Sequence, residues 1–252
     1  MGKIIVDNIQ TQNVVMTSIS TPVTPTTGQL YYDSTTGNLR IYDGLKFYDI
    51  YHDKGISGGD IMVRTINGTV YRIHTFCHGG TFYTPRNITI DYLLIGGGGS
   101  GGGNLGGGGG AGGYVYNTSV SLSAGAYPVG IGLGGRSVRG AQDGGFGNPG
   151  EDSNFNGVTA FGGSPGIGGD DVKSADLHAL DPTRRSFGSG GGGSGYGTSG
   201  RGTSSSQGND GGQGGGGGNN YPGGGGGGAG AVGETPSSGS SVGGTGGAGL
   251  QN

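Results

Sequence analysis

Ile88-Thr89-Ile90-Asp91-Tyr92-Leu93-Leu94-Ile95-Gly96-Gly97-Gly98-Gly99 carries the chain from a β-branched apolar run straight into glycine. Residues 1–95 hold ten of the protein's 71 glycines, and residues 96–252 hold the other 61. The run 88–95 has the length and composition of a strand, and its apolar content predicts one in the middle of a sheet. The composition changes at Ile95, which places a domain boundary there.

Downstream, glycine gathers at 96–99, 101–103, 106–110, 190–193, 214–218 and 223–228. Ordering a glycine backbone costs about 1–2 kcal/mol per residue, with no side-chain burial to offset it. Such runs either stay a flexible tether or pack as extended threefold helices, where the missing Cβ lets backbones approach. Three features favour packing. Short, chemically varied segments interrupt the runs, as expected of rods joined by loops. The rods are substantial, since 96–113 at about 3.1 Å per residue would extend roughly 56 Å. The interruptions also carry Tyr114, Tyr116, Phe146, Phe155, Phe161, Phe187, Tyr196 and Tyr221, aromatics that a solvated linker largely lacks. Collagen is excluded, because glycine does not recur at every third position and there are only 9 prolines.

Upstream, the patterns are those of short strands. Leu39 and Ile41 alternate with Arg40 and Tyr42, and pair naturally with Leu30-Tyr31-Tyr32. The runs 61–66 and 69–76 flank Asn67-Gly68, a strong hairpin signal. No amphipathic helix is longer than a turn or two; 171–180 has room for one turn capped by Asp170. The expected architecture is therefore mainly β in the N-terminal part, followed by a glycine-rich bundle of polyglycine II helices with connecting loops and almost no α-helix. Its divisions are 1–56, a β-hairpin attachment module; 57–95, strands leading into the glycine domain; and 96–252, the bundle.

Hydrophobic residues make up 29 % of the chain and charged residues 12 %, with a net charge of −3. This balance offers nothing to nucleic acid or an anionic membrane surface. One cysteine, Cys77, excludes an internal disulfide framework. No stretch approaches 18 apolar residues, and the N-terminal apolar run is too short for a signal peptide. The expectation is a protein made in the cytoplasm that works by assembly.

Three segments, Tyr71-Arg72-Ile73-His74-Thr75-Phe76, Gly80-Thr81-Phe82 and 90–99, together resemble the opening of the glycine-rich domain of phage tail proteins. Tyr127-Pro128-Val129-Gly130-Ile131-Gly132-Leu133-Gly134-Gly135 is similar to the same family, in which a strand leads into a further glycine run. The second part also resembles the receptor-recognising adhesins at the long tail fibre tips of some T-even-like phages. Residues 27–44 resemble a hairpin module of phage fibre proteins that often closes on a tryptophan, where this chain has Phe47. The resemblance implies a virion tail fibre protein whose partners are other tail and fibre subunits and a host outer-surface protein or glycan. It also implies a homotrimer, with loops on a polyglycine II bundle facing the receptor.

Gly130 to Gly135 satisfies G-x-G-x-x-G, but no amphipathic helix can follow through Arg136-Ser137-Val138-Arg139-Gly140, so no nucleotide site is expected. His74, Cys77 and His78 lack a fourth ligand, and strand geometry points His74 and Cys77 to opposite faces. An intersubunit metal on a fibre axis is the narrower alternative. Glu151-Asp152 and Asp170-Asp171 lie in glycine-rich sequence without the walls that acid–base chemistry needs; solvation or a weak calcium site fits them better. No enzyme, cofactor or metal is expected.

The interruptions 136–156 and 170–187 are the better binding candidates, because specificity commonly resides in loops on a rigid scaffold. The receptor-binding candidates are Phe146, Phe155, His178, Arg184, Arg185, Phe187, Tyr196 and Tyr221, a mixture of aromatic and arginine typical of binding hot spots. The plainer reading is that the aromatics cap the bundle or seal it against the β-region. A purely structural tail or capsid decoration protein is the alternative function. An ice- or surface-binding protein would need a flat, regular face, which the irregular loops oppose.

Overall fold

The computed structural model describes residues 24–33, 38–50, 55–138, 145–169, 186–196, 206–216 and 220–250. The chain divides into two compact units, 1–56 and 57–252. Strands in small antiparallel sheets make up its regular secondary structure, and no helix occurs among the described residues.

The first unit contains a three-stranded meander of β1 (Leu30–Asp33), β2 (Asn38–Tyr42) and β3 (Phe47–Ile50). Leu30 pairs with Ile41 and Tyr42 with Phe47, the hairpin register that the alternation at 39–42 predicts. The β2–β3 turn closes through Asp43, whose Oδ1 accepts from the amides of Leu45 and Lys46, both at 2.8 Å. Phe47 packs against Tyr42 at 4.9 Å between ring centroids, and the Arg40 guanidinium lies 5.9 Å from the Phe47 ring centre.

In the second unit, β4 (Asp60–Ile66) and β5 (Thr69–Thr75) form the hairpin announced by Asn67-Gly68. Both turn residues have positive φ, 49° and 79°, which matches the right-handed twist of the two strands. A four-stranded sheet runs in the order β11 (Val158–Ala160), β10 (Ser153–Phe155), β9 (Gly125–Gly130), β6 (Gly80–Thr84). Its inner face buries Phe82, Val129, Phe155 and Ala160. A second layer covers this face. His74 of β5 meets Phe82 edge-on at 5.2 Å, and Tyr92 of β7 (Ile88–Ile95) meets Phe155 edge-on at 5.1 Å.

β7 pairs only with β8 (Tyr114–Leu122). The strand expected in the middle of a sheet therefore has one edge without a strand partner among the described residues. Its apolar content is explained by packing: Tyr92 and Leu94 turn toward the lower sheet, and Leu94 is buried.

Beyond Ile95 the backbone is extended, and its hydrogen bonds go to neighbouring segments with a period of three. Gly96, Gly99 and Gly102 donate to Gly113, Gly110 and Gly107, whereas Gly97, Ser100 and Gly103 donate to Glu151, Asn148 and Gly145. Gly107, Gly110 and Gly113 in turn donate to Ile167, Ser164 and Phe161. A helix with three residues per turn and no internal bonds points successive amides at different neighbours, and this is the polyglycine II arrangement.

The stretch 96–113 is two antiparallel rods rather than one rod of 56 Å. The chain reverses at Asn104 and Leu105, which take φ of 41° and 57°. Left-handed backbone is open to asparagine and unusual for leucine, and a reversal here lets one rod satisfy the amides of the other.

Rods 162–169 and 187–195 are buried throughout, as is 222–228 apart from Gly223. Rod 222–228 is bonded to 105–113, 187–195, 207–215, 231–236 and 243–249, through pairs such as Gly108–Gly224, Gly227–Gly190, Gly212–Gly225, Gly225–Glu234 and Gly244–Gly223. At the closest approaches between rods there is no room even for a Cβ, although Ser164, Ile167, Ser189 and Ser194 are buried at other rod positions. A Cβ built on Gly226 would lie 2.0 Å from the Gly109 carbonyl oxygen, and one on Gly163 2.0 Å from that of Gly110.

Candidate functional site

The rods give the second unit two ends. At one end, Ile95 passes from β7 into the rod 96–103, and Gly113 passes into β8. Side-chain amides close this seam. Gln207 Oε1 accepts from the Phe161 amide at 2.8 Å, its Nε2 donates to Thr159 O at 2.8 Å, and its carbonyl accepts from Tyr114 N at 3.0 Å. Asn209 Nδ2 donates to the carbonyls of Gly228 and Ala229 at 2.9 and 3.0 Å. Neither residue stood out in the sequence, because a polar residue among glycines reads as loop.

The opposite end holds the reversal at Asn104–Leu105. Gly103 donates to Gly145, Gly169 donates to Gly103 and Asn104, and Gly195 donates to Leu105, so three further rods begin or finish beside it. Gly215 donates to Pro222 at 2.8 Å, and Asn220 Nδ2 donates to Gly239 O at 3.0 Å. These contacts bring Gly215, Asn220, Pro222 and the turn 237–242 to the same end.

Tyr196 and Tyr221 form an aromatic pair here, with ring centroids 5.1 Å apart and planes at 49°. Tyr196 is half exposed, and its ring covers Gly169, where an added Cβ would come within 3.1 Å of Cε2. Tyr221 holds φ at 44°, a left-handed backbone that a bulky residue seldom adopts and that often accompanies functional sites. Phe146, partly exposed, follows Gly145 at this end.

The other candidates lie elsewhere. Phe155 is 7 % exposed and sits among Phe82, Tyr92 and Tyr127 in the sandwich interior. Phe187 is 8 % exposed at the seam end, where Gly188 bonds to Gly162. Burial makes both sealing residues rather than surface contacts. His178, Arg184 and Arg185 lie outside the described residues, as does the turn expected at 171–180. The structure thus brings together Tyr196, Tyr221 and the end that carries Phe146, and separates Phe155 and Phe187 from them.

The remaining motifs have structural uses. Residues 130–135 run from β9 into a rod, with Gly132 donating to Ser153 Oγ at 2.9 Å and Gly135 to Gly98 O at 2.8 Å. Glu151 Oε2 accepts from Leu133 N at 3.2 Å, and Asp152 Oδ1 from Gly162 N at 2.7 Å. His74 Nδ1 donates to Gly58 O at 2.8 Å, while Cys77 is exposed. Glu234 accepts from both the hydroxyl and the amide of Thr245, and these bonds hold its carboxyl below the usual range.

A family model described as a glycine-rich domain matches residues 75–252. The chain belongs to this family. The glycine-rich domain so defined begins at the end of β5 and takes in the lower sheet, β7, β8 and every rod. No curated protein and no solved structure gives a significant match.

Proposed function

We propose that the protein is a phage tail fibre tip protein. In this reading its N-terminal part attaches to the virion among other fibre subunits, as a homotrimer, and the glycine-rich domain binds a host surface protein or glycan. It acts by binding and carries out no catalysis. The observation that carries the reading is convergence at one end of the bundle. Gly145 after 139–144, Gly169 before 170–185, Tyr196 before 197–205 and both flanks of 217–219 lie at the Asn104–Leu105 end, while Ser186 and Ser206 resume the chain at the seam end. Segments of variable chemistry leaving one end of a cross-bonded scaffold suit recognition, because the scaffold holds their anchors fixed while their sequences change.

Exchange of 170–185 for the corresponding length of a serine-glycine sequence, with Gly169 and Ser186 retained, tests this. Loss of adsorption with an unchanged melting temperature is the expected result. Unaltered adsorption and host range would return the chain to the alternative, a structural tail or capsid decoration protein.

A further inference from the structure

β5 and β7 each have a single strand partner, β4 and β8, so each has one edge without a partner among the described residues. Both border one cleft of about 850 Å³, lined by 70–76 from one side and 89–95 from the other. The lower sheet explains the spacing. Its order is β6-β9-β10-β11, with β5 seated over β6 and β7 over β10. No described strand of the upper layer is seated over β9, and Val129 of β9 forms part of the cleft floor with Phe82 and Phe155.

We infer that this cleft is a strand-addition site for an extended apolar segment of another protein, which would complete an upper sheet in the order β4-β5-guest-β7-β8. Strand addition of this kind takes affinity from backbone hydrogen bonds and specificity from alternate side chains. Here both guest edges would be paired, and its inward side chains would meet Phe82, Val129 and Phe155. Its outward positions would lie between Tyr71 and Ile73 on one side and Leu93 and Ile95 on the other, all at least one-third exposed. The guest is therefore β-branched and apolar inward, Val- or Thr-like outward, and free of proline.

Two further observations specify it. His74 Nε2 is buried in the cleft wall with no hydrogen-bond partner. Nδ1–H donates to Gly58 O, which leaves Nε2 as the ring atom facing the cleft. A seven-residue guest would run roughly 23 Å and remove on the order of 1,000 Å² from water, the lower limit of a specific interface. Every strand among the described residues is already paired in a sheet, so none of them is the guest. The inference stands whether or not the tip binds a receptor.

The test uses the full chain and a synthetic peptide of alternating valine and threonine flanked by lysines, with a proline-centred version as control. Fluorescence anisotropy reads binding, and hydrogen exchange reads 70–75 and 89–95. Saturable binding of the first peptide alone, with slowing of exchange at both strands by tenfold or more, is expected. Val129→Trp, which fills the floor, and Leu93→Lys, a change at the exposed rim that leaves the core intact, should each weaken it at least tenfold. Equal binding of both peptides, protection elsewhere, or indifference to both substitutions would overturn the assignment. Self-association with both strands already protected would also overturn it, by giving the place to a second copy.

Discussion

The amide of Gly96 donates to the carbonyl of Gly113 at 3.0 Å, so the two ends of one glycine-rich run lie side by side. The same run then uses its other amides outward, Gly97 toward Glu151 and Gly107 toward Ile167. Cohesion in the bundle comes from this cross-bonding and from the absence of Cβ atoms between rods, with little help from apolar side chains. Ile167, 1 % exposed, is among the few large side chains buried within the rods.

That distribution makes glycine positions unequal. Gly163→Ala and Gly226→Ala each place a methyl 2.0 Å from a backbone oxygen and should cost about 3 kcal/mol or more. Gly101→Ala, whose nearest neighbour would be Gly107 O at 3.5 Å, should change stability by less than about 0.5 kcal/mol. Urea melts of the three variants check this ordering.

Gln207 joins the bundle to the strands through three hydrogen bonds. Gln207→Leu leaves the Phe161 amide and the Thr159 carbonyl without their side-chain partner. A loss of about 2 kcal/mol is expected in thermal or urea unfolding.

Glu234 gives a pH signature. Its carboxylate is held by Thr245, so its pKa in the folded chain lies below the unfolded value. The contribution is present above the unfolded pKa and is lost as pH falls through the lower, folded one. An NMR titration should show the Thr245 amide shifting below the ordinary glutamate range, and Glu234→Gln should abolish that inflection.

At the tip, Tyr196→Ala removes a half-exposed ring from the pair with Tyr221. Under the proposed function, adsorption to host cells should fall at least tenfold while the melting temperature moves by no more than about 2 °C. An unchanged adsorption rate would count against the tyrosine pair as a receptor contact.

The sequence carried the β-region at the level of individual turns. Asn67-Gly68 specifies its own hairpin because two positive φ angles suit those residues and few others. Rod partners are a different matter. Glycine has no side chain to encode a neighbour, so the pairing of 96–103 with 107–113 and 145–151 rests mainly on backbone bonds, with Ser100 Oγ adding a bond from the Asn148 amide. The Asn104-Leu105 reversal was masked by the glycines around it, although asparagine tolerates such backbone. Phe155 and Phe187 illustrate the limit for sites: an aromatic between glycine runs looks alike in sequence whether it seals a seam or faces solvent.

Residue-resolved hydrogen exchange of the purified chain tests the cross-bonded bundle most directly. Strong protection is predicted at Gly107, Gly108, Gly110, Ala111 and Gly113, which all donate to neighbouring segments. Gly98 and Gly101, exposed and outside that bonding pattern, should exchange much faster than Gly99 and Gly102 beside them. Uniform exchange at free-peptide rates across 96–113 and 222–228 would contradict the bundle and leave the glycine runs as tethers.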